Sequence, residues 1–255
     1  MLPVAGGEVW ADDSGGDGPP LVLLHPGIGD SRIWEAMLPR LTPSYRVIRY
    51  DVRGYGRSPA PTVEYSLLDD LVAVLDHFGL DRVPIVGCSM GGGTAICLAL
   101  ADPGRVAGLV LLCPGISGYD WPDDEELDAE EEGYFTAGDV EGLAQFGLRR
   151  WGGAGSDPAA VEQLRSAAKA WLAGDEFEQR NPPAFDRLGE LTQPTVLLIG
   201  DLDYPPLIAA NEEMAARIPG CRLIRVPGVD HLMPLRIPDL AVDVINEHLG
   251  QVGRP

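Results

Sequence analysis

Gly87-Cys88-Ser89-Met90-Gly91 lies between an apolar run, Val83–Val86, and an apolar helical pattern, Gly91–Ala101, in a chain of 255 residues. A serine presented at a sharp strand-to-helix turn needs small neighbours, because its backbone is strained and other segments approach closely. A helix N-terminus beneath such a serine stabilises developing negative charge. In a chain with 32 glycines the pattern alone says little, and a glycine-rich turn with an idle serine is the plain alternative. Its place between a strand and a helix gives it weight.

Outward from that turn, Leu21–Leu24, Arg46–Tyr50, Val106–Leu112, Thr195–Ile199 and Arg222–Val226 read as further buried strands. They are rich in Val, Ile and Leu without clean alternation, as expected where both faces of a parallel sheet are covered. Tyr65–Phe78 carries Leu67, Leu68, Leu71, Val74, Leu75 and Phe78 at helical spacing, with Gly79 as a stop signal. Gly91–Ala101 and Pro238–Leu249 read the same way. Strand alternating with helix predicts an α/β fold, a mostly parallel, doubly wound sheet. Gly6–Val9 and the turn-rich Asp12–Pro20 stretch fit a leading antiparallel hairpin. The alternation stops at residue 118 and resumes at Thr195. Residues 118–190 show no convincing strand and several short helical patterns, one opened by Asp157-Pro158 and running to about Trp171. The reading is a sheet domain, 1–117 and 191–255, with a helical insertion at 118–190 after the sixth strand.

Composition narrows the partners. The 39 acidic residues against 19 basic ones give a formal charge of −20, which disfavours a nucleic-acid partner. Lysine occurs once, at Lys169, so no polybasic membrane patch is expected. The longest apolar runs are too short to span a bilayer, and the N-terminal residues have no signal-peptide pattern. Cys88, Cys97, Cys113 and Cys221 form no framework spacing and no CxxC pair, which favours reduced thiols in a cytoplasm. A soluble, acidic, cytoplasmic protein is expected.

A serine hydroxyl needs a base, normally a histidine held by a carboxylate. His77 and His248 fall inside helix patterns, and His25 ends a strand before a Pro-Gly turn. His231 lies in a loop after the last strand, where open α/β sheets place their sites. It is the base by elimination and position. Gly200-Asp201-Leu202-Asp203 follows another strand and offers two carboxylates. Asp230 is less suited, because sequence neighbours rarely point their side chains at one another. Serine, then aspartate, then histidine is the α/β-hydrolase chain order.

With these motifs the chain resembles the α/β-hydrolase superfamily, in its capped esterase, lactonase and non-heme haloperoxidase-like branch. Leu23-Leu24-His25-Pro26-Gly27 is similar to the family's oxyanion loop, with Pro26 where glycine usually stands. Asp51-Val52-Arg53-Gly54-Tyr55-Gly56-Arg57-Ser58 resembles its D-x-R-G-x-G-x-S turn. Gly87–Gly91 is similar to the nucleophile elbow, Gly200–Asp203 to the acid turn, and His231-Leu232-Met233-Pro234 to the histidine loop. The resemblance implies Ser89 as nucleophile, His231 as base and Asp203, not Asp201, as the acid. It implies an oxyanion hole from the backbone N–H groups of Gly27 and Met90. It also implies that 118–190 is a cap over the site. Asp51 and Arg53 are expected to be structural, and Cys88 to be packing.

The cap stretch holds nine of the seventeen Phe, Trp and Tyr residues. Trp121, Tyr134, Phe135, Phe146, Trp151 and Trp171 are candidates for an apolar pocket, with Ile28 and Leu232 beside the motifs, although a small lid core is the plainer reading for any one aromatic. Arg149-Arg150 reads as a substrate-carboxylate site or, more commonly, a solvated helix face. Nine acidic residues in Asp120–Glu132 lack EF-hand spacing and read as solvated surface. No metal cluster or dinucleotide fingerprint is present, so no cofactor is expected. The expected function is a serine hydrolase acting on a small, largely apolar ester or lactone. Carbon–carbon hydrolysis, acyl transfer or perhydrolysis by the same triad, and a slow-turnover ligand receptor, are the competing readings.

Overall fold

The computed structural model describes residues 1–252. Its strands are β1 (Leu2–Val4), β2 (Gly7–Val9), β3 (Ala11–Asp13), β4 (Pro20–Leu24), β5 (Arg46–Tyr50), β6 (Tyr65–Ser66), β7 (Val83–Cys88), β8 (Val106–Leu112), β9 (Glu178–Gln179), β10 (Thr195–Gly200) and β11 (Arg222–Val226). The helices are α1 (Leu38–Leu41), α2 (Leu67–His77), α3 (Met90–Ala101), α4 (Glu125–Ala137), α5 (Val140–Trp151), α6 (Pro158–Gly174), α7 (Pro205–Arg217), α8 (Met233–Arg236) and α9 (Pro238–Val252).

Seven strands make one sheet in the order β11-β10-β8-β7-β4-β5-β3, parallel throughout except for β3. The central strands are apolar on both faces because helices cover both. Leu21–Leu23, Ile85, Val86 and Leu109–Leu112 are all fully buried. Each such side chain contributes about 1.5–3 kcal/mol relative to exposure. The register pairs Leu24 with Gly87 and Cys88 with Leu112, so the carboxyl ends of β4, β7 and β8 finish side by side.

Helix α2 buries Leu67, Leu71, Val74 and Leu75 on one face, and the Ser66 hydroxyl caps it by accepting from the Asp69 amide at 3.2 Å. Helix α3 packs behind the sheet and is buried nearly all round. Two glycines make that approach possible. A Cβ on Gly91 would stand 2.4 Å from the Leu24 carbonyl, and one on Gly87 would stand 2.6 Å from the Gly91 carbonyl.

The N-terminal reading changes in detail. β1 and β2 form the antiparallel hairpin, with Leu2 opposite Val9, while β3 leaves it to pair antiparallel with β5. β6 and β9 form a two-residue parallel bridge between the core and the 118–190 stretch. Val106–Leu112 is therefore eighth in chain order, since β3 and β6 are too short to show a period in sequence. Within 118–190, α4, α5 and α6 form the helical stretch. Asp157 caps α6, its Oδ1 accepting from the Ala159 and Ala160 amides. No described helix is long and apolar enough to cross a membrane.

Candidate active site

Ser89 joins β7 to α3 at φ 48° and ψ −116°, a left-handed conformation for a non-glycine residue. Such a residue costs roughly 1–3 kcal/mol and persists only where its surroundings fix it. Here the Ser89 amide donates to the Leu112 carbonyl at 3.0 Å, and the Ser89 carbonyl accepts from Gly93 and Gly115, both at 3.0 Å. The strain is held by the end of β8 and the first turn of α3.

His231 is buried in the loop between β11 and α8. Its Nδ1 lies 2.9 Å from Asp203 Oδ2, and since an ionised carboxylate only accepts, Nδ1 carries the proton. The other Asp203 oxygen accepts from the Tyr204 amide at 2.7 Å. Asp201, two residues earlier, is exposed and accepts from the Gly228 amide at 2.6 Å, bracing the loop before His231. The Trp151 ring lies against the imidazole, with centroids 4.6 Å apart, and the Trp151 carbonyl accepts from the His231 amide at 3.2 Å.

On the other side of Ser89, Gly27 and Met90 are neighbours. A Cβ on Gly27 would stand 3.5 Å from Met90 Sδ. Met90 is the first residue of α3, so its amide has no acceptor within the helix. The Trp171 indole donates to the Gly27 carbonyl at 2.8 Å, placing this aromatic as a brace for the oxyanion-loop candidate. His25 is a loop brace too. Its Nδ1–H donates to the Pro26 carbonyl at 2.9 Å and its Nε2 accepts from the Val52 amide at 3.0 Å.

Asp51 and Arg53 do not pair with each other. Asp51 accepts from the Ser31 and Arg57 amides, while Arg53 forms a buried fork with Asp70 on α2, both contacts at 2.7 Å. His77 is exposed and His248 is buried in α9, its Nε2 donating to the Pro194 carbonyl. The four cysteines are free, with Cys88 and Cys113 sulfurs 3.8 Å apart. Cys113, Asp203 and His231 hold potential metal-ligand atoms within 4.8 Å of one another. Burial pushes the Cys113 thiol well up, its Sγ donates to the His231 carbonyl, and the Asp203–His231 hydrogen bond already engages the other two. The trio therefore fits a hydrogen-bonded cluster better than an ion.

A cavity of about 240 Å³ opens above Ser89, lined also by Gly115, Trp121, Pro122, Arg150, Trp151, Tyr204 and Leu207. Of the pocket aromatics expected from sequence, Trp121 and Trp151 line it. Phe146 and Tyr134 do not, because Phe146 is buried within the insertion and Tyr134 packs beside it, at 6.4 Å between ring centroids, with its hydroxyl donating to Glu130. Phe135 lines an acidic depression on α4 instead. Ile28 and Leu232 are buried in the core and do not line it. Tyr204 and Leu207, on the segment after Asp203, carried no sequence signal beyond an ordinary helix start. A wider groove of about 700 Å³ runs on from Gly115 and Trp121 past Met90 to Arg180 and Asn181.

Arg149 and Arg150 part company. Arg149 is half exposed and pairs with Glu130. Arg150 is 19% exposed and turns into the cavity, its guanidinium 4.8 Å from the Tyr204 ring centroid and 5.2 Å from that of Trp151. Its Nη1 lies 3.6 Å from Glu131, and its buried Nε has no hydrogen-bond partner among the described residues.

A family model described as alpha/beta hydrolase fold matches residues 19–235. The chain is 27% identical over 249 residues to a pimeloyl-[acyl-carrier protein] methyl ester esterase of Legionella pneumophila (strain Paris), covering 93% of this chain and 98% of that protein. It is 40% identical over 121 residues to a 2-hydroxymuconate semialdehyde hydrolase of Pseudomonas sp. (strain CF600), a match spanning 45% of this chain and 42% of that protein. Among solved structures, Est816, described as an N-acyl homoserine lactone degrading enzyme, superposes with a TM-score of 0.79 at 28% identity, covering 96% of this chain and 98% of that one.

Proposed function

The chain belongs to the alpha/beta hydrolase fold family, and from that premise we propose that it is a serine hydrolase cleaving a small, largely apolar ester or lactone through an acyl-enzyme. One observation carries this reading: the strained Ser89 opens onto a cavity shared with Trp151, against whose ring the buried, Asp203-bonded His231 is packed. Similarity along nearly the whole chain to a methyl ester esterase, and to a lactone-degrading enzyme, supports the ester and lactone classes.

Ser89 Oγ attacks the acyl carbon as His231 takes its proton. Because Nδ1–H is committed to Asp203, the nitrogen that accepts is Nε2. The tetrahedral oxyanion falls to the Met90 and Gly27 amides. Nε2 then returns the proton to the leaving oxygen, and water repeats the cycle to free the acid. Residues 118–190 act as the cap, supplying Trp121, Arg150 and Trp151 to the cavity wall. Arg150 supplies a charged donor to an oxygen acceptor on the substrate from the side chain that lines the cavity. A second reading keeps the same residues and hydrolyses a carbon–carbon bond, favoured by the local 40% identity to the semialdehyde hydrolase.

The test is Ser89→Ala. Turnover of p-nitrophenyl esters is expected to fall roughly 10⁴-fold or more, with fluorophosphonate labelling abolished and the melting temperature preserved. Retained turnover in the folded variant rejects the assignment. Product analysis with ester, lactone and vinylogous diketone substrates separates the two readings.

A further inference from the structure

We propose that Asp230 and Arg236 form a positioning pair that ties the loop of His231 to the α5–α6 connection, so that the base keeps its place only while those helices are seated. This rests on the reading of His231 given above.

Asp230 is fully buried, yet it takes no part in the Asp203–His231 contact. Its Oδ1 accepts from the Leu232 amide at 3.0 Å and from Arg236 Nε at 3.1 Å. Its Oδ2 accepts from the Ala154 amide at 3.0 Å and from Arg236 Nη2 at 2.9 Å. Arg236 reaches further, donating to the Gly155 carbonyl at 2.5 Å and pairing with Asp157, the cap of α6. Just before this connection, Trp151 holds the His231 amide with its carbonyl and packs its ring on the imidazole.

Residues 151–157 therefore grip this segment at His231 itself, at Asp230 and, through Gly155 and Asp157, at Arg236. The sheet side grips His231 at two further points: Asp203, in the turn after β10, holds Nδ1, and Cys113, just past β8, donates to its carbonyl. The imidazole bridges two bodies, and its orientation depends on their alignment. A buried carboxylate is tolerated only while its donors stay in place, since an unpaired buried charge is strongly destabilising. These contacts on Asp230 thus lock the alignment rather than merely decorate a surface loop. A shift of about 1 Å at a reacting group costs about 10²-fold in rate, so the pair acts through His231 without touching the substrate.

The experiment compares Arg236→Gln, Arg236→Lys and Ala154→Pro with the parent chain. The last removes the backbone donor to Asp230 while leaving Arg236 in place. Measured are kcat and KM for a p-nitrophenyl ester, the fluorophosphonate labelling rate, and the proton NMR resonance of His231 Nδ1–H. Arg236→Gln is expected to lower kcat roughly 30- to 100-fold with KM within about twofold, and to broaden or move the Nδ1–H resonance. Arg236→Lys recovers part of the loss, because one ammonium cannot reproduce the fork. Should Arg236→Gln not fold, Ala154→Pro must still lower kcat several-fold with the same spectral change. A folded variant with parent kcat and an unmoved resonance, or with its loss confined to KM, overturns the proposal. The NMR reading does not pass through turnover, so it stands apart from the Ser89→Ala result.

Discussion

Replacing Arg150 by Met keeps the stem that packs on Trp151 and Tyr204 and removes the guanidinium from the cavity. For esters bearing a carboxylate or a second carbonyl, KM is expected to rise about 10- to 100-fold with kcat nearly unchanged, the worth of a charge-assisted hydrogen bond. Small neutral esters should show no such rise, and steady-state kinetics on the two substrate sets checks it. Equal effects on both sets would assign Arg150 to the cavity wall alone. Sequence could not separate Arg149 from Arg150, because adjacent residues on a helix share composition and differ only in the direction they face. That Asp201 or Asp203 would meet His231 was legible from glycine-marked turns after apolar strands, while the choice of Asp203 came from the family resemblance, and it is Asp203 that bonds Nδ1. Trp171 was not, as nothing local tells an indole braced on the Gly27 carbonyl from one lining a pocket.

Helix α6 reaches the candidate oxyanion loop through Asp30 as well as through Trp171. Gln163 Oε1 accepts from the Asp30 amide at 2.9 Å, and the Ser166 hydroxyl donates to Asp30 Oδ2 at 2.7 Å. Burial alone would raise the Asp30 carboxyl, but hydrogen bonds from Arg32, Ser166 and the Arg32 amide outweigh it and hold it at about 2. A carboxyl held below its unfolded value stabilises the fold above that value, near 3.8, and loses the effect as pH falls toward 2. Asp30→Asn is therefore expected to cost on the order of 2 kcal/mol at pH 7 in urea unfolding, and progressively less between pH 4 and pH 2. A cost that does not change with pH would place the loss in packing. At this scale the sequence was most legible where both faces of a strand are covered, as in β5 and β8, whose limits it marked to the residue. It marked the limits of β11 as well, but that strand is not the buried one expected: it is the sheet edge and stays largely exposed or half-buried. The sequence reading missed β3, took β6 as the first residues of the helix that starts at Leu67, and found no strand where β9 lies, since two or three residues that pair through tertiary contact carry no period of their own.

More than half of the net charge of −20 falls on residues 118–190, which hold 18 acidic and 6 basic residues. Several of these acids pair locally, Glu130 with Arg149, Glu131 with Arg150 and Glu141 with Arg165 among them, but among the described residues most of the acids on α4 form no ion pair. The field at long range is therefore negative, while the cavity beneath it holds a guanidinium. The two act over different distances. Surface charge is screened beyond about 10 Å at 0.1 M salt, whereas a partly buried contact is screened much less. Raising salt from 10 to 200 mM is thus expected to increase kcat/KM several-fold for an anionic ester, by removing repulsion on approach, and to decrease it for a cationic one. Combined with Arg150→Met, the anionic ester should keep its salt slope while losing affinity, because approach and capture are separate steps. Stopped-flow acylation rates at several ionic strengths test this directly. Salt-independent rates for both esters would mean that the acidic helix stands too far from the entrance to act on it. A slope that vanished with Arg150 would mean instead that the guanidinium, and not α4, governs the approach.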